Sequence, residues 1–336
     1  MVPYKDEQRS WPGMPTAKKQ LKRSFDDAFG PEHIYKNIPL TESKSIRLLR
    51  LHAGSGDDLL EGNLIIAEYH ERYEALSYTW GDHDQESFIR ILSEGNAHKM
   101  PITPNLKAAL RQLRDPEKFR LLWIDALCIN QRSEEEKSLQ VPKMAGIYTR
   151  AFNVCIWLGE EYQSSDLAVS FIKRILNLDD FDRLVRDENS DKEWAALFDL
   201  MRRPWFTRRW VVQEIALARV ATVHCGRQIV PWREFRDAVS LFVSRYSDLK
   251  KLFQGSKRYN HHPDYLGDIT ALGANRLCQQ ASNVFRRADE GGTQAPLMSL
   301  EALVSNLSAF EATEPRDVIY SVLALAVSFE YSHFAW

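Results

Sequence analysis

The sequence has few cysteines, and their spacing suits neither a metal site nor a disulfide framework. Four cysteines occur among 336 residues, they lie far apart, and no C-x-x-C pair is present. This pattern is typical of a reduced intracellular protein and argues against a zinc site. The adjacent pairs at 224–225 (HC) and 261–262 (HH) are interpreted as polar strand-edge and loop residues, because neighbouring strand residues point to opposite faces. We therefore expect no metal site.

Charge of one sign and long apolar runs are also missing. The formal net charge is −2 at pH 7, so no general attraction to nucleic acid or to an anionic membrane is expected. No apolar run approaches the length of a membrane span, and no secretory signal is visible in the first residues. These features predict a cytoplasmic protein without a membrane span. Residues 1–30 are polar and contain prolines, and are predicted to form a flexible arm.

The common signatures of nucleotide-binding proteins and hydrolases are absent. The sequence has no G-x-G-x-x-G after a strand, no G-x-x-x-x-G-K-[ST] and no G-x-S-x-G. These absences argue against a Rossmann dinucleotide-binding domain, a P-loop protein and an α/β-hydrolase. Cys128 has no base near it in sequence and is interpreted as a small buried side chain.

What the sequence does contain is an alternation of apolar and amphipathic segments. The predicted order is a strand pair within 45–69, strand 73–82, helix 103–115, strand 120–129, helix 133–151 with a kink or a late start at Pro142, and strand 152–160. Strands that alternate with helices predict an α/β fold with a parallel sheet flanked by helices. Residues 226–336 are predicted to form a mostly helical C-terminal region.

Three blocks of this pattern resemble a known family. They are "YEALSYTWGD" (73–82), the segment from "LWIDALCINQ" to "CIWLG" (122–159) and "RPWFTRRWVVQEIALA" (203–218). Their order and spacing resemble the fungal heterokaryon-incompatibility (HET) domain, over about residues 45–225. "TEPRDVIYSVLALA" (313–326) resembles the segment that commonly follows it. The resemblance implies a TIR-like fold and a role in non-self recognition and programmed cell death.

The likeness to TIR domains points to one carboxylate. TIR enzymes carry a W-x-x-x-E on a helix after the third strand, and its glutamate handles the ribose of NAD. This sequence has Trp210 and Glu214 in that place, four residues apart and therefore on one helical face. The resemblance implies that Glu214 is catalytic and that NAD(P) is a substrate, with no cofactor required. Glycosidic cleavage passes through an oxocarbenium-like transition state that a carboxylate stabilises.

The ends of the predicted strands supply the remaining candidates. In an open parallel sheet, ligands bind beyond the carboxyl ends of the strands. An indole there could stack on a planar ring. The predicted substrate-binding residues are Ser77, Trp80, Gly81, Asp82, Asp125, Asn130 and Trp210.

A structural role stays open for each candidate. Trp210 could fill the core, Asp125 could pair with Arg132, and residues 80–82 could be a tight turn. Glu214 could pair with one of three nearby cations, Arg208, Arg209 or Arg219. The arginines of 202–210 could grip a phosphate or form a solvated basic surface.

Two classes of function therefore remain. The first is a cell-death effector that hydrolyses NAD(P). The second is a non-catalytic module that self-associates or recruits protein partners.

Overall fold

The computed structural model describes most of the chain. The described residues are 32–40, 45–68, 71–82, 84, 86–162, 164–262, 264–283, 285–286, 295–312 and 314–327. The arm predicted at 1–30 lies outside these residues. Within the described ranges, none of the helices has the length and apolar character that a membrane crossing requires.

The centre of the described fold is a mixed nine-stranded sheet. Its strands are β1 (Ser45–Leu51), β2 (Glu61–Glu68), β3 (Glu74–Tyr78), β4 (Phe88–Ser93), β5 (Asn96–Pro101), β6 (Arg120–Trp123), β7 (Asn153–Trp157), β8 (Ala221–Cys225) and β9 (Gln228–Pro231). The order across the sheet is β5-β4-β2-β1-β6-β3-β7-β8-β9. The strands β6, β3 and β7 are parallel, as predicted, and β8 continues the parallel arrangement beside β7. Antiparallel pairs β1–β2, β4–β5 and β8–β9 complete the sheet towards both edges.

Helices cover both faces of the sheet and dominate the chain after β9. They are α1 (Glu32–Asn37), α2 (Pro104–Leu113), α3 (Asp125–Cys128), α4 (Glu134–Gln140), α5 (Met144–Arg150), α6 (Ser165–Ile175), α7 (Leu178–Arg186), α8 (Asp191–Met201), α9 (Trp210–Ala216), α10 (Trp232–Ser244), α11 (Tyr246–Gly255), α12 (Gly273–Asn283), α13 (Leu300–Asn306) and α14 (Asp317–Leu323). A short pair of two-residue strands, β10 (Phe285–Arg286) and β11 (Ala295–Pro296), interrupts the last third. The α/β class and the helical C-terminal region are therefore confirmed.

Local signals explain where two of the crossover helices begin and break. The Thr103 hydroxyl accepts the Leu106 N–H at 3.2 Å and caps α2. The predicted kink at Pro142 is a 3-10 turn over Val141–Lys143 between α4 and α5. Proline has no N–H to donate and cannot continue an α-helical ladder, so the chain tightens there.

The predicted strand over 120–129 is wrong beyond Trp123. The strand β6 ends at that residue, and Asp125 begins the short helix α3. The Asp125 carboxylate accepts the Ala126 N–H at 2.7 Å, a local bond that favours a helical turn. The apolar run continues through both elements, and an apolar run alone does not distinguish a strand from a buried helix.

The hairpin formed by β4 and β5 was not predicted. Its two-residue turn consists of Glu94 and Gly95, with φ values of +51° and +78°. Two positive φ angles give the turn a twist that matches the strands of a hairpin. A non-glycine residue at the first turn position is uncommon, which weakens the signal in the sequence.

One continuous apolar core joins the sheet to the C-terminal helices. Ile156 of β7, Phe242 of α10, Leu303 of α13 and Val322 of α14 are all fully buried in the same cluster. A second cluster lies on the other face of the sheet, against α1 and α2. The described part of 226–336 therefore packs on the strands of the predicted 45–225 domain and completes their core.

Candidate functional site

Four of the predicted site residues meet beyond the carboxyl ends of β3 and β6. With two neighbours they form a connected group, which we call the Arg208 cluster. Its members are Ser77, Tyr78, Trp80, Asp125, Arg208 and Glu214. The first two end β3, Asp125 begins α3, and Glu214 lies in α9. This is the edge at which ligands bind in open parallel sheets.

The Glu214 carboxylate is held inside the core by Ser77. The Ser77 hydroxyl donates to the Glu214 Oε2 atom, and both residues are at most 2% exposed. The Trp205 indole N–H donates to the Ser77 Oγ atom at 2.8 Å. A buried carboxylate is costly unless it is hydrogen-bonded, so this chain of donors is what allows Glu214 to lie there.

The second carboxylate, Asp125, lies nearer the surface. The Trp80 indole N–H donates to the Asp125 Oδ2 atom at 2.8 Å, and Trp80 is 37% exposed. Tyr78 also acts on this carboxylate and lowers its pKa. Trp80 thus presents an aromatic ring to the surface beside the cluster, while its N–H fixes Asp125.

Arg208 supplies the positive charge that acts on both carboxylates. Its guanidinium donates to the Tyr78 carbonyl oxygen. Burial raises the pKa of Glu214, while the charge of Arg208 and the Ser77 hydrogen bond lower it and Asp125 raises it further. Burial likewise raises the pKa of Asp125, against the lowering effect of Arg208. Of the three cations weighed for Glu214, Arg208 is the one that acts on it.

Gly81 and Asp82 lie on an exposed turn beyond Trp80. Gly81 has φ +72°, a left-handed conformation that favours glycine. This conformation explains the glycine at position 81 without any ligand.

Two predicted site residues, Trp210 and Asn130, are not members of the Arg208 cluster. Trp210 is half-buried and packs against the larger apolar cluster, as its structural interpretation expected. Asn130 lines a separate cavity of about 460 Å³, where its backbone N–H donates to the Glu136 carboxylate at 2.7 Å. The Arg47 guanidinium binds the same carboxylate in that cavity.

Sequence reasoning missed three contributors to the cluster. They are Trp205, which binds Ser77; Tyr78, which lowers the pKa of Asp125; and Tyr148, whose raised pKa reflects burial and then the charge of Glu214. Trp205 lies in the arginine- and tryptophan-rich segment 202–210, which was recognised as a candidate binding segment. The W-x-x-x-E pattern, however, predicted Trp210 as the functional tryptophan.

The comparisons with known proteins agree with the sequence blocks. Residues 73–214 match the family model described as heterokaryon incompatibility protein (HET). This span includes every member of the Arg208 cluster, from β3 to Glu214. The resemblance to the HET family that the sequence blocks predicted is therefore confirmed over residues 73–214.

Two curated relatives carry related names. The heterokaryon incompatibility protein 6, OR allele, of Neurospora crassa is 29% identical in an alignment that covers 58% of this chain and 35% of the relative. The vegetative incompatibility protein HET-E-1 of Podospora anserina is 28% identical over 43% of this chain and 9% of its own length. The chain thus spans about a third of the first relative and about a tenth of the second. No solved structure matches the chain significantly, and the likeness to TIR domains stays a prediction.

Proposed function

We propose that this chain acts in heterokaryon incompatibility as a cell-death effector, and that the Arg208 cluster hydrolyses the nicotinamide–ribose bond of NAD(P). One observation carries the proposal: Glu214, Ser77, Asp125 and Trp80 converge at one carboxyl edge of the sheet, around a single arginine. A carboxylate, a cation and an exposed aromatic ring at such an edge suit a nucleotide with a scissile glycosidic bond.

In this proposal Glu214 acts as the electrostatic group. Its carboxylate hydrogen-bonds ribose hydroxyls and stabilises the positive charge that develops at the anomeric carbon. The C–N bond breaks, nicotinamide leaves with the bonding electrons, and water adds to the carbon and releases a proton. The charge of Arg208 opposes the effect of burial on the pKa of this carboxylate and so favours its ionised form. Trp80 stacks on a planar ring of the substrate.

Access to Glu214 requires a movement. The side chain is 2% exposed, whereas Trp80 beside the cluster is 37% exposed. The Trp80 ring and the Gly81 turn lie at the surface, and their displacement is the opening step that we propose. Loop movements of this kind assemble or uncover many active sites.

The test is the release of nicotinamide from NAD by the purified chain at high concentration. Glu214→Gln keeps the size of the side chain and a hydrogen-bond acceptor for Ser77, but removes the charge. The matched control is Glu188→Gln, which alters an exposed glutamate. We expect release from the wild-type and control proteins and its loss in Glu214→Gln. Folded wild-type protein that leaves NAD intact when assembled would refute the enzymatic part of the proposal.

A second candidate function is a scaffold without catalysis, and the burial of Glu214 favours it. A carboxylate bonded to Ser77 and charge-compensated by Arg208 serves the fold equally well. A scaffold predicts that Glu214→Gln leaves cell killing intact. It also predicts that killing is abolished by charges on an exposed apolar surface, such as Ile319 and Tyr320 of α14.

A further inference from the structure

A cavity of about 440 Å³ opens beside the Arg208 cluster, beyond the carboxyl ends of β7 and β8. Its size is that of a small-molecule site. The polar side chains that line it are Tyr162, Ser164, Ser165, Asp199, Arg202 and Arg203. They come from the loop after β7, from the start of α6 and from the end of α8, so three elements build the cavity.

The wall of the cavity is positively charged, and Arg203 is fixed in position. Its Nη2 atom donates to the Glu160 carbonyl oxygen at 3.2 Å and to the Ser165 hydroxyl at 3.1 Å. Arg202 is exposed and lies over the Phe198 ring at 5.5 Å. In the described part of the chain neither guanidinium forms an ion pair with a carboxylate. Their remaining N–H groups are therefore available to an anionic ligand.

The start of α6 adds further donors to the same cavity. This helix has 11 residues, and its N-cap Ser164 makes no side-chain capping bond. The N–H groups of a first helical turn and the helix dipole favour negative charge. Two guanidinium groups and a helix N-terminus that face one cavity together suit a phosphate or a diphosphate.

Other groups at the cavity suit the rest of a nucleotide. Tyr162 is 65% exposed, and its ring lies at the opening with the Arg203 guanidinium 6.0 Å from the ring centre. Asp199 accepts the Tyr265 hydroxyl at 3.2 Å and offers a carboxylate to sugar hydroxyls. An aromatic ring and a hydroxyl acceptor extend the preference from a bare anion to a nucleotide.

The cavity and the Arg208 cluster are joined by one short segment. Arg203 and Pro204 line the cavity, and Trp205, the next residue, donates to Ser77. The strands behind the two sites, β3 and β7, are paired neighbours, which lie about 5 Å apart.

We propose that this cavity binds the diphosphate of a nucleotide through Arg202 and Arg203. In naming NAD(P) as that nucleotide, the inference rests on the proposed function. The glycosidic bond of the dinucleotide then lies at the Arg208 cluster and its diphosphate in the cavity.

The test is calorimetric titration of the full chain with ADP, which has a diphosphate but no nicotinamide bond to cleave. Arg202→Gln removes an exposed charge with little risk to the fold. Arg203→Lys keeps the charge but loses the planar fork. Arg186→Gln, an exposed arginine on α7, is the matched control, and thermal melting checks that each variant is folded.

We expect ADP to bind the wild-type and Arg186→Gln proteins equally, and the affinity to fall about tenfold or more in Arg202→Gln and Arg203→Lys. Adenosine, which has no phosphate, should bind at least tenfold more weakly than ADP. Equal ADP affinity in all four proteins, or equal affinity for ADP and adenosine, overturns the assignment.

The failure of this inference and that of the proposed function are distinguishable. If NAD is cleaved but KM is unchanged in Arg202→Gln, the cavity is not the diphosphate site and the catalytic proposal stands. If ADP binding depends on the two arginines but NAD is not cleaved, the cavity stands and the catalytic proposal fails.

Discussion

The Ser77 hydroxyl donates a hydrogen bond to the Glu214 carboxylate, which is 137 residues away in the sequence. The contact joins the end of the central strand β3 to the helix α9 through two side chains that are almost completely buried. Apolar residues surround it, among them Val211 and Val212 of the same helix. A polar contact in such surroundings fixes the position of the helix more specifically than apolar packing does, because its partners have no alternative.

Replacing Ser77 by alanine should destabilise the fold by about 1–3 kcal/mol. The substitution leaves the Glu214 carboxylate and the Trp205 N–H without their shared partner. The unfolding free energy in urea is the measurement, and Ser240→Ala on the exposed side of α10 is the control. Equal stability of Ser77→Ala and the wild-type protein would mean that another group, such as water, replaces the hydroxyl.

Removing the charge of Arg208 should raise the pKa of Glu214. The positive charge of Arg208 lowers that pKa in the native protein, against the effect of burial. If activity needs an ionised Glu214, activity rises as pH rises through its pKa, so Arg208→Met should move the acid limb of the pH profile to higher pH. The same direction should be seen in an NMR titration of the carboxylate, which does not depend on activity.

Arg219→Met is the control for Arg208→Met, because Arg219 is exposed near the end of α9 and was an equally good partner on sequence grounds. A pH profile that moves in both variants, or in neither, would contradict the assignment of Arg208 as the compensating charge.

Much of the fold could be predicted because the central strands and their crossover helices depend on local patterns. The strands β3 and β7 are buried at every position, and Thr103 marks the start of α2 through a bond to a residue three positions away. Position in a parallel sheet follows from this alternation. The convergence of Ser77 and Asp125 followed for the same reason.

What could not be predicted depends on tertiary packing. Two tryptophans, Trp205 and Trp210, lie within six positions of each other, and only the packing of the 3-10 turn Pro204–Thr207 directs the first towards Ser77. Asn130 lies five residues after Asp125, yet the backbone turns after α3 and places it in another cavity. Spacing along the chain contains no information about such turns.

The helix α13 and the residues that follow it anchor the start of α9. The Arg209 guanidinium donates to two carbonyl oxygens, that of Leu307 and, at 3.3 Å, that of Val304. The Arg209 backbone N–H donates to the Glu311 carbonyl oxygen at 2.9 Å. Arg209→Ala should therefore remove the side-chain donor from both carbonyl groups and destabilise the fold by about 1–3 kcal/mol. Hydrogen exchange should become faster in 300–312.

Arg316→Ala, which alters an exposed arginine just before α14, is the control for Arg209→Ala and should leave hydrogen exchange unchanged. Faster exchange confined to α9, with 300–312 still protected, would contradict the interpretation that Arg209 anchors the C-terminal segment.

Acid should destabilise the protein through His224. Burial, and then the charge of Arg120, lower the pKa of this imidazole to about 4, while Glu74 opposes them. The unfolded chain binds the proton near pH 6.5, whereas the folded protein does not until about pH 4. The contribution of His224 is therefore complete above pH 6.5 and is lost as pH falls to about 4, a change of about 3 kcal/mol in the free energy of unfolding.

His224→Gln should remove this dependence, because an amide binds no proton in this pH range. The amide also retains a partner for the Thr222 hydroxyl, which lies 3.0 Å from the imidazole Nε2 atom in the wild-type protein. The measurement is the urea unfolding free energy at several values between pH 7 and pH 4. Carboxylates also titrate in this range, so the informative quantity is the difference between proteins. His261→Gln, at an exposed position, should follow the wild-type curve. If His224→Gln loses as much stability as the wild-type protein between pH 6.5 and pH 4, the acid sensitivity arises from the carboxylates alone.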